Sequence, residues 1–228
     1  MSRSEVAIRP LGDRALLVEL GPGEVLDVGR SVLDLFHALD SAALSGVEDL
    51  VPAVTSLMVI FDPLRLEPEA LERSIADALA AVPSPSSEPS TILSIPVVYG
   101  GRHGPDLRSV ADLHGLSEAE VVRLHAQKEY RVVMVGFMPG FPYLAGLPPE
   151  LETPRRGTPR AQVPRGSVAI AGRQTGIYPA PSPGGWQLLG WTPLSLFDAC
   201  RSPPALLAAG DTVRFLPVTE PEALSWRS

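Results

Sequence analysis

Glycine and proline crowd into one stretch of the chain, and this limits what it can fold into more than any other feature. Residues 136–190 hold 20 of the chain's 45 glycines and prolines in 55 positions, leaving 25 for the other 173. Proline fixes φ and removes a backbone donor, and glycine weakens the interior of a helix or strand. The stretch therefore predicts short strands and turns. A loop of that length in a compact domain is either functional or disordered, and its Phe, Tyr and Trp residues speak against disorder. Predicted strands at Ser167–Ala171, Trp186–Leu189 and Thr212–Leu216, separated by Gly/Pro turns, point to a barrel or a sandwich.

The N-terminal part reads differently. Residues 14–20 form a strand broken by Gly21-Pro22-Gly23. Val25, Val28, Val32, Leu35, Phe36 and Leu39 recur at three- and four-residue spacing, which predicts an amphipathic helix over 24–41. Strands follow at Val47–Val51 and Ser56–Phe61, then a second helix over 68–82 and a strand over 91–99. The order β-α-β-β-α-β is that of a ferredoxin-like split βαβ unit, although its last strand has a place in either half. Pro83 to Ser90 is a Pro/Ser-rich hinge. The sequence thus divides into an α+β domain over 1–90 and a β-rich domain over 91–228. Within the latter, Asp106–His114 predicts a short helix stopped by Gly115. Ser117 and Glu120 form a capping box that opens a helix to about Gln127, and Tyr130–Val135 predicts a strand.

At 228 residues the chain is long enough to bury a full core without staples. Its net charge of −7 and pI near 5.1 argue against a nucleic-acid backbone or an anionic membrane as main partner. No apolar run reaches the length of a membrane helix, and Met1–Glu5 lack the apolar core of a signal peptide. The expected setting is the cytoplasm. Cys200 is the single cysteine, which excludes an intramolecular disulfide and a cysteine-based zinc site. It lies at the end of an apolar stretch and reads as structural. His37, His103, His114 and His125 lack metal-ligand spacing, so no metal site is expected. Lys128 is the only lysine and has no neighbouring glycines or serines. A Walker A loop and a Ser-Ser-Lys amidase set are therefore both missing.

Between Thr153 and Phe197 the chain carries Arg155, Arg156, Arg160, Arg165 and Arg173 and no acid, a segment of +5 in a chain of −7. Arginine's planar fork suits carboxylate or phosphate. Two readings stand: an anion site for a small carboxylate or phosphate, or loop arginines paired with acids on the other domain or a partner. Gly136 to Leu144 places Phe137, Phe141 and Tyr143 on a rigid Gly/Pro loop, as a pocket wall or as a cover over a barrel end. Gln174, Thr175 and Tyr178, with Gly184-Gly185-Trp186, offer amide, hydroxyl and backbone donors; the glycine pair forms either an anion-binding nest or a tight turn.

These blocks together resemble a known family. Gly136 to Leu144 with Leu147, Pro154-Arg155, Pro159-Arg160, Val163-Pro164, Gly166-Ser167-Val168, Ile170-Ala171-Gly172, Gln174 to Pro179, Ser182 to Trp186 and Thr192-Pro193 are similar to the allophanate hydrolase subunit 1, or KipI, family. That family is also known as the B component of the prokaryotic ATP-dependent 5-oxoprolinase. Leu11 to Leu16, Tyr99-Gly100-Gly101 and Gly104 to Leu107 extend the match over nearly the whole chain. The resemblance implies a ferredoxin-like N-terminal domain and a cyclophilin-like C-terminal β-barrel. It implies a second cyclophilin-like subunit and a third, separate subunit as partners. It also implies ATP-driven cleavage of 5-oxoproline to glutamate, with ATP held at a shared interface or on a partner. Related fused domains form the carboxyltransferase part of urea carboxylase, and another member inhibits a sensor histidine kinase. A kinase-binding module is therefore the alternative reading; a prolyl isomerase rests on fold analogy alone.

On the enzyme reading, Arg155 and Arg160 clamp anionic groups while Gln174 and Tyr178 orient the ring amide. Phe137, Phe141, Tyr143 and Trp186 wall the substrate pocket, with Thr175, Gly184 and Gly185 in contact with the ligand. Two features depart from the family pattern. Gly190-Trp191-Thr192-Pro193 carries Trp191 where the family usually has Arg, and the Gly101-Arg102-His103-Gly104 turn is atypical.

Overall fold

A computed structural model describes residues 6–81 and 92–226, and the Pro83–Ser90 hinge lies outside the described residues. The chain forms two compact units, one on each side of residues 82–91.

The first unit contains β1 (Ala7–Pro10), β2 (Ala15–Glu19), α1 (Val25–Ala42), β3 (Val47–Pro52), β4 (Ser56–Phe61) and α2 (Pro68–Ala81). Its sheet has the order β1-β2-β4-β3, with every pairing antiparallel. Strand alternation sends Leu16, Val18, Leu57, Val59 and Phe61 to one face. Val28, Val32, Leu35 and Leu39 of α1, with Leu71 and Ile75 of α2, cover that face and complete the core. Burying a leucine such as the fully enclosed Leu35 contributes about 1.5–3 kcal/mol. The element order is β-β-α-β-β-α, which corrects the predicted β-α-β-β-α-β. The fourth strand of this sheet comes from residues 7–10, a segment the sequence pattern does not mark. The strand predicted at 91–99 belongs to the other unit.

That unit is built on a closed seven-stranded barrel. Its strands are β5 (Ile92–Tyr99), β6 (Glu129–Val135), β7 (Pro142–Ala145), β9 (Ser167–Ala171), β10 (Gln174–Ile177), β12 (Gln187–Trp191) and β13 (Thr212–Pro217), in the order β10-β7-β6-β13-β5-β12-β9. β5 and β13 pair in parallel, and the remaining neighbours pair antiparallel. α3 (Leu107–His114) and α4 (Glu118–Ala126) add Leu107, Val110 and Val121 to the barrel core. α3 stops at Gly115 with φ 65°, and the Ser117–Glu120 capping box opens α4. α5 (Glu220–Leu224) follows the last strand.

The barrel wall carries a second layer. β8 (Arg160–Val163) and β11 (Ser182–Gly184) form a two-stranded ribbon. β9 is buried along its whole length because its two faces serve different cores. Val168 and Ile170 enter the barrel interior, whereas Ala169 and Ala171 join Phe141, Val163, Tyr178, Trp186 and Leu188 in a small core outside it.

Candidate functional site

The candidate site opens on that outer core. Gly136 N–H donates to Phe141 O at 3.0 Å and Phe141 N–H to Met138 O at 3.1 Å, closing the loop after β6 into a tight turn. The turn buries Phe141 and leaves Phe137 63% exposed at the rim, with a positive φ of 67°. A left-handed backbone costs a non-glycine residue about 1–2 kcal/mol, and such strain collects at sites that bind or switch. The Phe141 ring packs edge-on against Phe137 (5.7 Å between centroids), Tyr178 (5.1 Å) and Trp186 (5.6 Å), and lies tilted against Tyr143 (4.9 Å).

These rings wall a cavity of about 240 Å³, which Arg155, Pro159, Pro183, Gly184 and Gly185 complete. The structure thus brings together eight of the residues singled out in the sequence: Phe137, Phe141, Tyr143, Arg155, Tyr178, Gly184, Gly185 and Trp186. Arg155 is exposed, and none of the described carboxylates lies within ion-pair range of it. Burial raises the Tyr178 hydroxyl above its ordinary pKa; a backbone hydrogen bond with Trp186 and the charges of Arg155 and Arg160 pull it back. Burial likewise raises Tyr143, opposed by Arg155. Both phenols therefore stay protonated at neutral pH and keep a hydrogen to donate.

Gly184 is required by contact. A Cβ there would lie 2.3 Å from the Tyr178 hydroxyl. Neither Gly184 nor Gly185 takes a positive φ, so the pair lacks the alternating handedness of an anion nest. Gly185 O instead accepts a hydrogen bond from Arg156 N–H at 2.7 Å.

The other nominated residues lie elsewhere. Thr175 is fully buried in the barrel. Alternation along β10 turns Thr175 and Ile177 inward, while Gly176 meets Phe141 on the outer side. Thr175 donates to Ala169 O at 2.9 Å, so its hydroxyl accepts from His125 Nε2 at 2.9 Å; His125 Nδ1 then accepts from the Tyr99 hydroxyl at 2.7 Å. Burial drives His125 down from 6.5 to about 3, leaving it neutral and matched to this chain of bonds. Gln174, half-buried at the start of β10, does not line the cavity, and its Nε2 is buried without a partner among the described residues.

Arg160 belongs to a clasp that the sequence does not reveal. Asp106, 3% exposed, accepts Arg156 Nη1 at 3.0 Å and Arg160 Nη2 at 2.8 Å on Oδ1, and Leu188 N–H at 2.7 Å on Oδ2. Asp106 N–H donates in turn to Leu188 O at 3.1 Å. Gly104 lets the chain pass this close, since a Cβ there would lie 2.0 Å from Leu189 O. One buried carboxylate thus ties the ribbon strand β8 and the 154–160 loop to the barrel wall. Arg173 faces Glu152 at 3.7 Å. These arginines meet acids inside their own unit, an arrangement that neither sequence reading anticipates. The signal for Asp106 is indirect: an acid-free, arginine-rich segment needs its counter-charge from elsewhere in the chain.

The two departures from the family pattern pack on each other. Trp191 stacks on His103 with centroids 5.0 Å apart and planes 19° apart, and its indole N–H donates to Arg165 O at 3.2 Å. Cys200 is exposed, and its backbone N–H donates to Asp198 Oδ1 at 2.9 Å, so it packs in no core. Among the described residues no helix is long and apolar enough to cross a membrane.

Residues 6–207 match the family model for the carboxyltransferase domain, subdomain C and D. The chain belongs to that family. It is 39% identical over 227 residues to the B component of 5-oxoprolinase from Bacillus subtilis (strain 168), covering 93% of each chain. It is 46% identical over 214 residues to the protein of the same name from Escherichia coli O157:H7, covering 92% of this chain and 95% of the relative. Among solved structures, the Kluyveromyces lactis urea amidolyase superposes with a TM-score of 0.81 over 98% of this chain and 16% of its own length. At 23% identity, that likeness speaks to the fold alone.

Proposed function

We infer that this chain is the B component of a 5-oxoprolinase, working within a hydrolase complex that opens 5-oxo-L-proline to L-glutamate with ATP. The carrying observation is the ring-walled cavity with a carboxylate-free arginine at its edge, in a chain 39% and 46% identical to proteins of that name. 5-Oxoproline is a small lactam bearing one carboxylate. Arg155 presents a two-pronged donor to that carboxylate, and the packed rings of Phe141, Tyr143 and Trp186 form one wall for the lactam ring to lie against. Tyr178, kept protonated, donates toward the lactam oxygen, where negative charge develops as the amide opens. ATP supplies the conversion of that oxygen into a leaving group. On this reading the nucleotide sits where the chain meets a partner, or on the partner.

Phe137, Pro159 and Pro183 are exposed around the mouth. Apolar side chains left open around a functional cleft mark a surface for a partner, which we take to be a second cyclophilin-like subunit, with a third subunit completing a cytoplasmic complex. We read the two units, divided near residue 90, as ferredoxin-like and cyclophilin-like. The antiparallel order β1-β2-β4-β3 under two helices supports the first: it is the split βαβ sheet with its outer strand moved to the chain start. The closed barrel supports the second. The test is glutamate release from 5-oxoproline and ATP by the reconstituted complex, with each subunit left out in turn. Activity is expected only when this chain is present; full activity without it refutes the assignment.

A further inference from the structure

A second cavity, of about 150 Å³, is bounded by Arg102, His103, Arg160, Gln162, Ser167 and Trp191. It shares no lining residue with the aromatic cavity. Among the described residues no Asp or Glu lines it. The charges behind it do not balance: Arg156 and Arg160 share the single carboxylate of Asp106, while Arg102 faces Glu220, which also meets His103 Nε2 at 3.2 Å. One positive charge is left over at the Arg156–Asp106–Arg160 end. Arg160 is the more enclosed of the two, its side chain 22% exposed, and its Nη1 is buried with no hydrogen-bond partner among the described residues. An arginine that shares its carboxylate with a second arginine keeps charge to offer an oxyanion, and the guanidinium fork suits one. Gln162 and Ser167 add neutral polar groups, and the stacked His103–Trp191 pair forms a rigid wall.

We propose that this second cavity binds a phosphate-class oxyanion, held chiefly by Arg160 and Arg102. Pockets that enclose drug-sized ligands measure about 300–1,000 Å³. The cavity therefore takes a single phosphate group, either as free phosphate or as the tail of a nucleotide whose remainder lies outside. The proposal is independent of the substrate read into the aromatic cavity, and its test uses no activity.

Trp191 supplies the probe. Its indole N–H signal is followed by nitrogen–proton NMR in the full chain during titration with inorganic phosphate, and separately with ATP, at constant ionic strength set by chloride. A saturable shift of the Trp191 signal with phosphate, absent with chloride alone, is expected. Arg160→Gln and Arg102→Gln should each weaken it about tenfold or more, while Phe137→Ala on the other cavity leaves it unchanged. Arg102→Gln, at an exposed position, keeps the test informative if Arg160→Gln disturbs the clasp. If ATP produces the same shift and phosphate displaces it, the anion is a nucleotide's; a shift with phosphate alone assigns the free ion. A change that never saturates, or equal affinity in the folded Arg102→Gln and Arg160→Gln variants, overturns the proposal.

Discussion

Replacing Asp106 by alanine removes the one carboxylate that joins β8, the 154–160 loop and β12. Three hydrogen bonds are lost, at 3.0, 2.8 and 2.7 Å. Breaking a buried charge pair by deleting one partner costs about 3–5 kcal/mol. The side chains of Arg156 and Arg160 are 36% and 22% exposed, so water recovers part of their solvation and the lower end, about 3 kcal/mol, applies. For a unit of this size that corresponds to a fall of roughly 6–12 °C in Tm. Asparagine should rescue little, because its amide turns a donor toward either the guanidinium groups or the Leu188 N–H. Trp186, Trp191 and Trp226 all belong to the barrel unit, so urea unfolding followed by tryptophan fluorescence reads this unit without interference from the other. A loss below about 1 kcal/mol in the alanine variant, the range of an exposed pair, would refute the idea that the clasp holds the ribbon to the barrel.

Two further outcomes follow from the same geometry. Gly184→Ala drives a methyl into the Tyr178 hydroxyl, 2.3 Å away; it should lower kcat/KM of the assembled complex at least tenfold while Tm falls by only a few degrees, and wild-type kinetics would remove Tyr178 from the site. His125, with its pKa lowered from 6.5 to about 3, binds a proton in the unfolded chain but not in the folded one between those values. Stability should therefore drop as pH falls below about 6.5, by up to about 1.4 kcal/mol per pH unit from this group. Urea midpoints measured from pH 7 to pH 4 should show that slope flattened in His125→Gln.

Local signals are legible in this sequence and distant ones are not. The three-four spacing of Val28, Val32, Leu35 and Leu39 marks α1 almost to the residue, and Ser117 with Glu120 marks the start of α4, because both depend on neighbours in sequence. The cavity wall is legible because its rings sit on Gly/Pro loops that allow little other than a fixed turn. β1, β8 and β11 are three or four residues long, too short for periodicity to register. Thr175 groups with Tyr178 by proximity along the chain, although strand alternation sends it to the opposite side of the barrel wall. The Asp106 clasp joins residues 50 and 54 positions apart, and no local pattern announces such a pair.

In the proposed function Arg155 holds the substrate carboxylate over the aromatic wall. The direct measurement is steady-state 5-oxoproline cleavage by the reconstituted complex containing Arg155→Gln. Arg155 is exposed, so its replacement should leave Tm within about 1 °C, a surface substitution being worth under about 0.5 kcal/mol. Losing a charge-assisted hydrogen bond of about 1.5–3 kcal/mol should cut kcat/KM ten- to hundredfold. Unchanged kcat/KM with unchanged Tm would contradict the account.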